Sequence, residues 1–189
     1  MRVSKGLYMG SIIGGLVGGM ILAILGVVFA LDRAMDEAAP VFFILAFLAM
    51  VYGGVMWCIF LHKIWKSIQD GHARTTPGKA VGFLFIPFFN IYWQFVAIHG
   101  FALDYNAYAD RYNLQSKRLP VGLFLTSPIL VCCSIVPYLG TLASLANMVL
   151  MILIVNYAAD AVNAIPAAGA APVPAQPQPP AAQPPAPIG

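Results

Sequence analysis

Four long apolar stretches, at 7–31, 41–61, 119–136 and 138–156, constrain this chain more than anything else in it. A bilayer's hydrocarbon core is about 30 Å thick, and an α-helix needs roughly 20 apolar residues to cross it. No water reaches that core, so the backbone must satisfy its own hydrogen bonds, and these stretches point to helices. The chain is 60% hydrophobic and 9% charged, where a soluble domain carries about 25% charged residues. Those figures exclude a water-soluble fold. The 189 residues leave room for a helical membrane domain over 1–163 and a tail over 164–189.

The cations set the orientation. Basic residues collect on the cytoplasmic side because their translocation is unfavourable. With four spans, Arg2, Lys5, Lys63, Lys66, Arg74, Lys79, Arg111, Lys117 and Arg118 share one side, and Arg33 stands alone on the other. Both termini are then cytoplasmic. The net charge is only +3, and the cations flank apolar spans. They fit topology determinants and contacts to anionic lipid rather than a nucleic-acid footprint. The run after Arg2 and Lys5 is longer than the 7–15 residues of a secretory leader, so it reads as a retained signal anchor.

The first stretch is dense in glycine. Gly6, Gly10, Gly14 and Gly18 recur every four residues, with Ser11, Gly15 and Gly19 as a second row. Such a glycine zipper lets another helix backbone approach closely where lipid removes the hydrophobic drive. The expected partner is the protein's own helices, with a second copy or another membrane protein at the 6–19 ridge as the alternative. Gly14→Leu is expected to disrupt a close contact there. Pro40 suits the start of the second helix, where its missing N–H is no loss.

The segment 81–103 is long enough to span, but Pro87 removes a backbone donor at its middle and disfavours helix at Ile86. If it crosses, Arg111, Lys117 and Arg118 join Arg33 outside; if it dips in and returns, the charge split stays at nine to one. The charge rule favours the re-entrant form. Asn90 is expected to satisfy backbone groups freed at the turn. Phe101, Tyr105, Tyr108 and Tyr112 then form one stripe, and His99, Asn106, Asp110 and Asn113 another, as in an interfacial amphipathic helix. Val136, Pro137 and Gly140 mark a turn between the last two spans, and Pro128 a kink. Nine prolines fall between Pro166 and Pro187, which predicts a disordered Pro/Ala/Gln-rich spacer.

The run Pro77-Gly-Lys-Ala-Val-Gly-Phe-Leu-Phe-Ile-Pro-Phe-Phe-Asn-Ile-Tyr-Trp93, extended by Gly100-Phe-Ala-Leu-Asp-Tyr-Asn106, resembles a block of small bacterial multi-span membrane proteins. In some of those it follows a GYF-like domain, for which this chain has no room. The resemblance implies a bacterial inner membrane. It brings no activity and no catalytic residue, and it draws Trp93, Asp104 and Asn106 into the candidate set.

Catalytic and metal motifs are not found. Cys58, Cys132 and Cys133 lie in predicted spans without zinc-ligand spacing, and His62, His72 and His99 are far apart. No cofactor is expected. Asn90, Gln94, His99, Asn147 and Asn156 are the polar groups at membrane depth, and amides there commonly tie helices together. The expected fold is an all-α integral membrane protein. It has four transmembrane helices in two hairpins, a re-entrant or broken segment with an interfacial helix, and a disordered tail. The expected function is a non-enzymatic inner-membrane scaffold or accessory protein. The alternatives are a transporter or channel component with a path at Pro87 and Asn90, and an enzyme using His99 with Asp104 or Asp110. The expected structural or functional residues are Gly10, Gly14, Gly18, Pro87, Asn90, Trp93, Gln94, His99, Asp104 and Asn106.

Overall fold

The structure, a computed structural model, describes residues 3–32 and 36–165. Arg2, Arg33 and the proline-rich tail from 166 onward lie outside the described residues, and with them the expectations that rest on them. The described chain is helical and forms no strand. Its α-helices are α1 (Lys5–Leu31), α2 (Ala39–Lys66), α3 (Pro77–Gly82), α4 (Phe89–Gln94), α5 (Gly100–Arg111), α6 (Val121–Cys133) and α7 (Leu139–Asn163). A 3-10 turn at Asp36–Ala38 leads into α2, and Pro40 sits in that helix's first turn as its sequence position predicts.

Three helices, α1, α2 and α7, are long and apolar enough to cross a membrane. The stretch 119–136 departs from expectation. Its helix, α6, is 13 residues long, about 20 Å, against the roughly 30 Å of a hydrocarbon core. Two local causes limit it. Pro120 precedes its first residue, and Pro137 disfavours helix at Val136. At its end the Ser134 hydroxyl donates to the Val131 carbonyl at 2.7 Å, occupying an acceptor of the last turn.

Helices α1 and α2 form an antiparallel pair with backbones in contact. A Cβ added at Gly15 would lie 2.7 Å from the Ala49 carbonyl oxygen and from Gly53 Cα, so only glycine fits there. Gly19 faces Ala46 and Met50, and Gly26 faces the Phe43 ring. Tyr52 donates to Ser11 Oγ at 3.0 Å, and the Tyr8 and Phe60 rings meet at 5.5 Å.

The core gathers at one end of the molecule. Phe60, Trp65, Ala97, Phe101, Tyr105, Phe124, Ile154, Ala158 and Ala161 are buried together. Four ion pairs lie around that end: Lys5–Asp160, Arg74–Asp104, Arg111–Asp70 and Arg118–Asp110. At the other end, α1 from Met20 onward, α2 from Val41 to Val55 and α7 from Leu139 to Val149 expose large apolar side chains. One end is packed and charged; the other is apolar and open.

Candidate functional site

The broken segment doubles back on itself. Thr76 caps α3, its hydroxyl accepting from the Lys79 amide at 3.4 Å. A 3-10 turn at Phe83–Phe85 follows, and the chain reverses through Ile86, Pro87 and Phe88. Phe88 has φ 63° and ψ −43°, and the Phe89 amide donates to the Pro87 carbonyl at 2.7 Å. Together these define a γ-turn of the rare, strained kind. The two arms are joined by Trp93, whose indole N–H donates to the Ala80 carbonyl at 3.2 Å and whose ring meets Phe83 at 4.7 Å. This is what Trp93 does in the fold.

From α4 the return arm runs through a π-helical turn at Phe95–His99 into α5. That wider turn is locked by the indole N–H of Trp65, which donates to the Ala97 carbonyl at 2.9 Å. Beside it the Arg74 stem lies across Gly100, where a Cβ would come within 2.9 Å of Arg74 Cδ. Arg74 binds both oxygens of Asp104, through its backbone amide and its guanidinium, each at 2.8 Å.

Asp104 and Asp110, the carboxylates considered as partners of His99, are engaged by Arg74 and Arg118. The His99 imidazole makes no hydrogen bond or ion pair among the described residues. Asn106 instead serves the backbone: its amide donates to the Leu119 carbonyl at 2.9 Å and accepts from the Leu119 N–H at 2.8 Å. The tyrosine stripe also departs from expectation. Phe101 and Tyr105 are fully buried, and the Tyr105 hydroxyl donates to the Ala161 carbonyl at 2.9 Å. The first half of the stripe faces the core, where Ala161 of α7 supplies an acceptor for the phenol from a position remote in sequence, while Tyr108 and Tyr112 are half-buried.

Asn90 does not cap the turn's backbone. Its side-chain oxygen accepts from Gln94 Nε2 at 3.1 Å, one helical turn further on. This amide pair lies in a cavity of about 520 Å³ between α2 and the broken segment, walled by Val51, Gly54, Val55, Leu84 and Phe85 among others. A second cavity of about 450 Å³, lined by His62, Lys63, Lys66, Val81 and Gly82, adjoins it. Cys58 and Ile59 line both, so the two form one trough along α2. A third cavity, of about 650 Å³, lies between α1 and α2 on one side and α6 and α7 on the other.

The two glycine rows part company. Gly15 and Gly19 pack on α2, whereas a Cβ added at Gly6, Gly10, Gly14 or Gly18 would meet nothing within 4 Å. The row with the stricter four-residue spacing is therefore unused by the described residues. Sequence reasoning also missed Asp70. Its side chain is 5% exposed, and the Arg111 guanidinium donates to it at 2.8 and 3.0 Å while the His72 amide donates at 2.9 Å. Burial alone would raise this carboxyl, but those hydrogen bonds and charges hold it below its ordinary value of 3.8. No sequence pattern marks the pair, since Asp70 and Arg111 stand 41 positions apart.

Compared with known families, characterised proteins and solved structures, the chain matches none.

Proposed function

We propose that the protein is a non-enzymatic scaffold or accessory protein of a bacterial inner membrane. It acts through lateral helix contacts and a basic cytoplasmic face. In this reading α1, α2, α6 with its turn, and α7 make four crossings in two hairpins. The broken segment enters from the cytoplasmic side and returns to it, with both termini on that side. The resemblance of the segment around Pro87 to small bacterial membrane proteins supports the compartment.

The observation that carries the reading is the open glycine row. Glycine in a helix interior is less favourable than alanine by about 1 kcal/mol. Gly6, Gly10, Gly14 and Gly18 have no neighbour among the described residues that needs their smallness. A helix from a second copy or another membrane protein would need it, because close backbone approach is what drives association in lipid. Cross-linking in membranes and mass measurement in mild detergent test this. Gly14→Leu should abolish the cross-linked species without lowering the protomer's melting temperature. A wild-type protein without any associated partner or second copy would refute it.

The cavity at Asn90 and Gln94 supports a second reading, a transporter or channel component. It reaches the amide pair, as such a path requires. Against it, Val51, Val55, Ile59 and Phe85 are exposed apolar walls, so the trough opens sideways rather than through the molecule.

A further inference from the structure

The trough along α2 has a basic end and an apolar shaft. At the basic end stand His62, Lys63 and Lys66. Arg74, Arg111, Arg118 and Lys5 each have a carboxylate partner, whereas neither Lys63 nor Lys66 is ion-paired among the described residues. Lys63 rests over the Tyr8 ring, 5.1 Å from its centroid, a contact that leaves its ammonium donors available. From Lys63 to Val51 α2 rises about 18 Å, slightly more than half of a hydrocarbon core. Over that length the walls are Val51, Val55, Ile59, Leu84 and Phe85. Gly54 and Gly82 keep the trough open, since a Cβ at either would meet nothing within 4 Å.

We propose that this trough is a binding site for one anionic phospholipid. Its phosphate sits against Lys63, Lys66 and His62, and one acyl chain lies along α2 towards the Asn90–Gln94 pair. Charge complementarity selects the occupant. Two lysines without carboxylate partners at the mouth of an apolar shaft suit a phosphate joined to a hydrocarbon chain. A zwitterionic lipid brings a cationic group to the lysines along with its phosphate, and a free phosphate gains nothing from the shaft. The inference rests on α2 lying in a membrane and not on the scaffold reading, and its test involves no association.

Trp57 lines the shaft, while Trp65 and Trp93 are 0% and 9% exposed, so quenching by bromine-labelled acyl chains reports on Trp57. The full chain in nanodiscs of neutral phosphatidylcholine would be titrated with brominated phosphatidylglycerol, and separately with brominated phosphatidylcholine. The phosphatidylglycerol should quench at a far lower mole fraction. Lys63→Gln with Lys66→Gln should weaken it by about 30-fold, since each cation near an anionic surface contributes about fivefold. Gly54→Leu, which fills the shaft without touching the mouth, should reduce quenching by either lipid, and Val55→Phe, also in the shaft, serves the same purpose should that variant misfold. Lys117→Gln, a cation elsewhere on the same end, should change nothing. Equal quenching by the two lipids would overturn the site. So would a loss from Lys117→Gln as large as that from the double change, or displacement of the brominated lipid by free glycerol phosphate.

Discussion

Phe88 and Tyr138 hold the same backbone conformation, φ 63° and ψ −43° in one and φ 65° and ψ −48° in the other. Each follows a proline and precedes the first residue of a helix. The hydrogen bonds match as well. Phe89 N–H donates to Pro87 O at 2.7 Å and Leu139 N–H to Pro137 O at 2.8 Å. Asn90 N–H donates to Ile86 O at 2.9 Å and Gly140 N–H to Val136 O at 2.8 Å. Ile-Pro-Phe-Phe-Asn and Val-Pro-Tyr-Leu-Gly are thus two copies of one reversal. A positive φ at a bulky residue costs of order 1–3 kcal/mol, and here it is accepted twice.

The strain is testable because the two aromatic side chains contribute little packing, being 91% and 95% exposed. Phe88→Gly or Tyr138→Gly should hold or raise stability in detergent by about 1 kcal/mol, since glycine adopts positive φ without penalty. Phe88→Val should lower it. Thermal melts of the three variants decide the matter, and a marked loss in the glycine variants would show that the exposed rings are held by something outside this chain.

Adjacent glycines should behave in opposite ways. Gly15→Leu drives a side chain into the Ala49 carbonyl and Gly53, and overpacking of this kind costs about 1–3 kcal/mol or more. Gly14→Leu should not destabilise the protomer and should raise its stability by up to about 1 kcal/mol, since it meets no neighbour and replaces glycine with a better helix former. Chemical or thermal unfolding in detergent compares them directly.

Acid should loosen the basic end through Asp70. Its carboxyl is held below 3.8 in the fold, so the unfolded chain takes up the proton first as the pH drops. The stabilisation is complete above about that ordinary value and is lost as the pH falls through the lower, folded one. Asp70→Asn should flatten the acid limb of the stability profile below pH 3.8. A limb of unchanged steepness in the variant would move the effect to other carboxylates.

Labelling tests the re-entrant placement of the broken segment. In a background with Cys58, Cys132 and Cys133 replaced by alanine, a cysteine at Gln115 should resist an impermeant thiol reagent in intact cells. The same site should label once the membrane is opened. Labelling in intact cells would instead establish that the segment crosses.

Uninterrupted apolar length made α1, α2 and α7 readable from the sequence, and Pro87 located the break. What the sequence lacked was direction. Periodicity reveals two glycine rows on α1 but not which meets Gly53, because that depends on how α2 docks. The tyrosines of α5 are equally spaced whether they face headgroups or core, and only the Ala161 carbonyl turned Tyr105 inward. The position of Asn90 beside Pro87 suggests a partner for freed backbone groups, yet Gln94, one turn on in the same helix, takes its side-chain oxygen. The length of α6 was misjudged because hydropathy runs on through Ser134 to Val136 while the backbone bonds do not.

Asn163 clasps the other end of the described chain, its amide donating to the Val3 carbonyl at 2.8 Å and accepting from the Val3 N–H at 2.7 Å. Lys5 pairs with Asp160 one turn away. During synthesis Tyr8 can already pack on Phe60 of α2, but Val3 and Lys5 lack these partners until α7 has been made. The start of α1 is thus the last part of that helix to be fastened, and nascent chains stalled before α7 should leave Val3 and Lys5 open to proteases or chaperones. Among the described helices the last turn of α7 closes the bundle over the start of α1, which makes it the checkpoint between an inserted hairpin and a folded one.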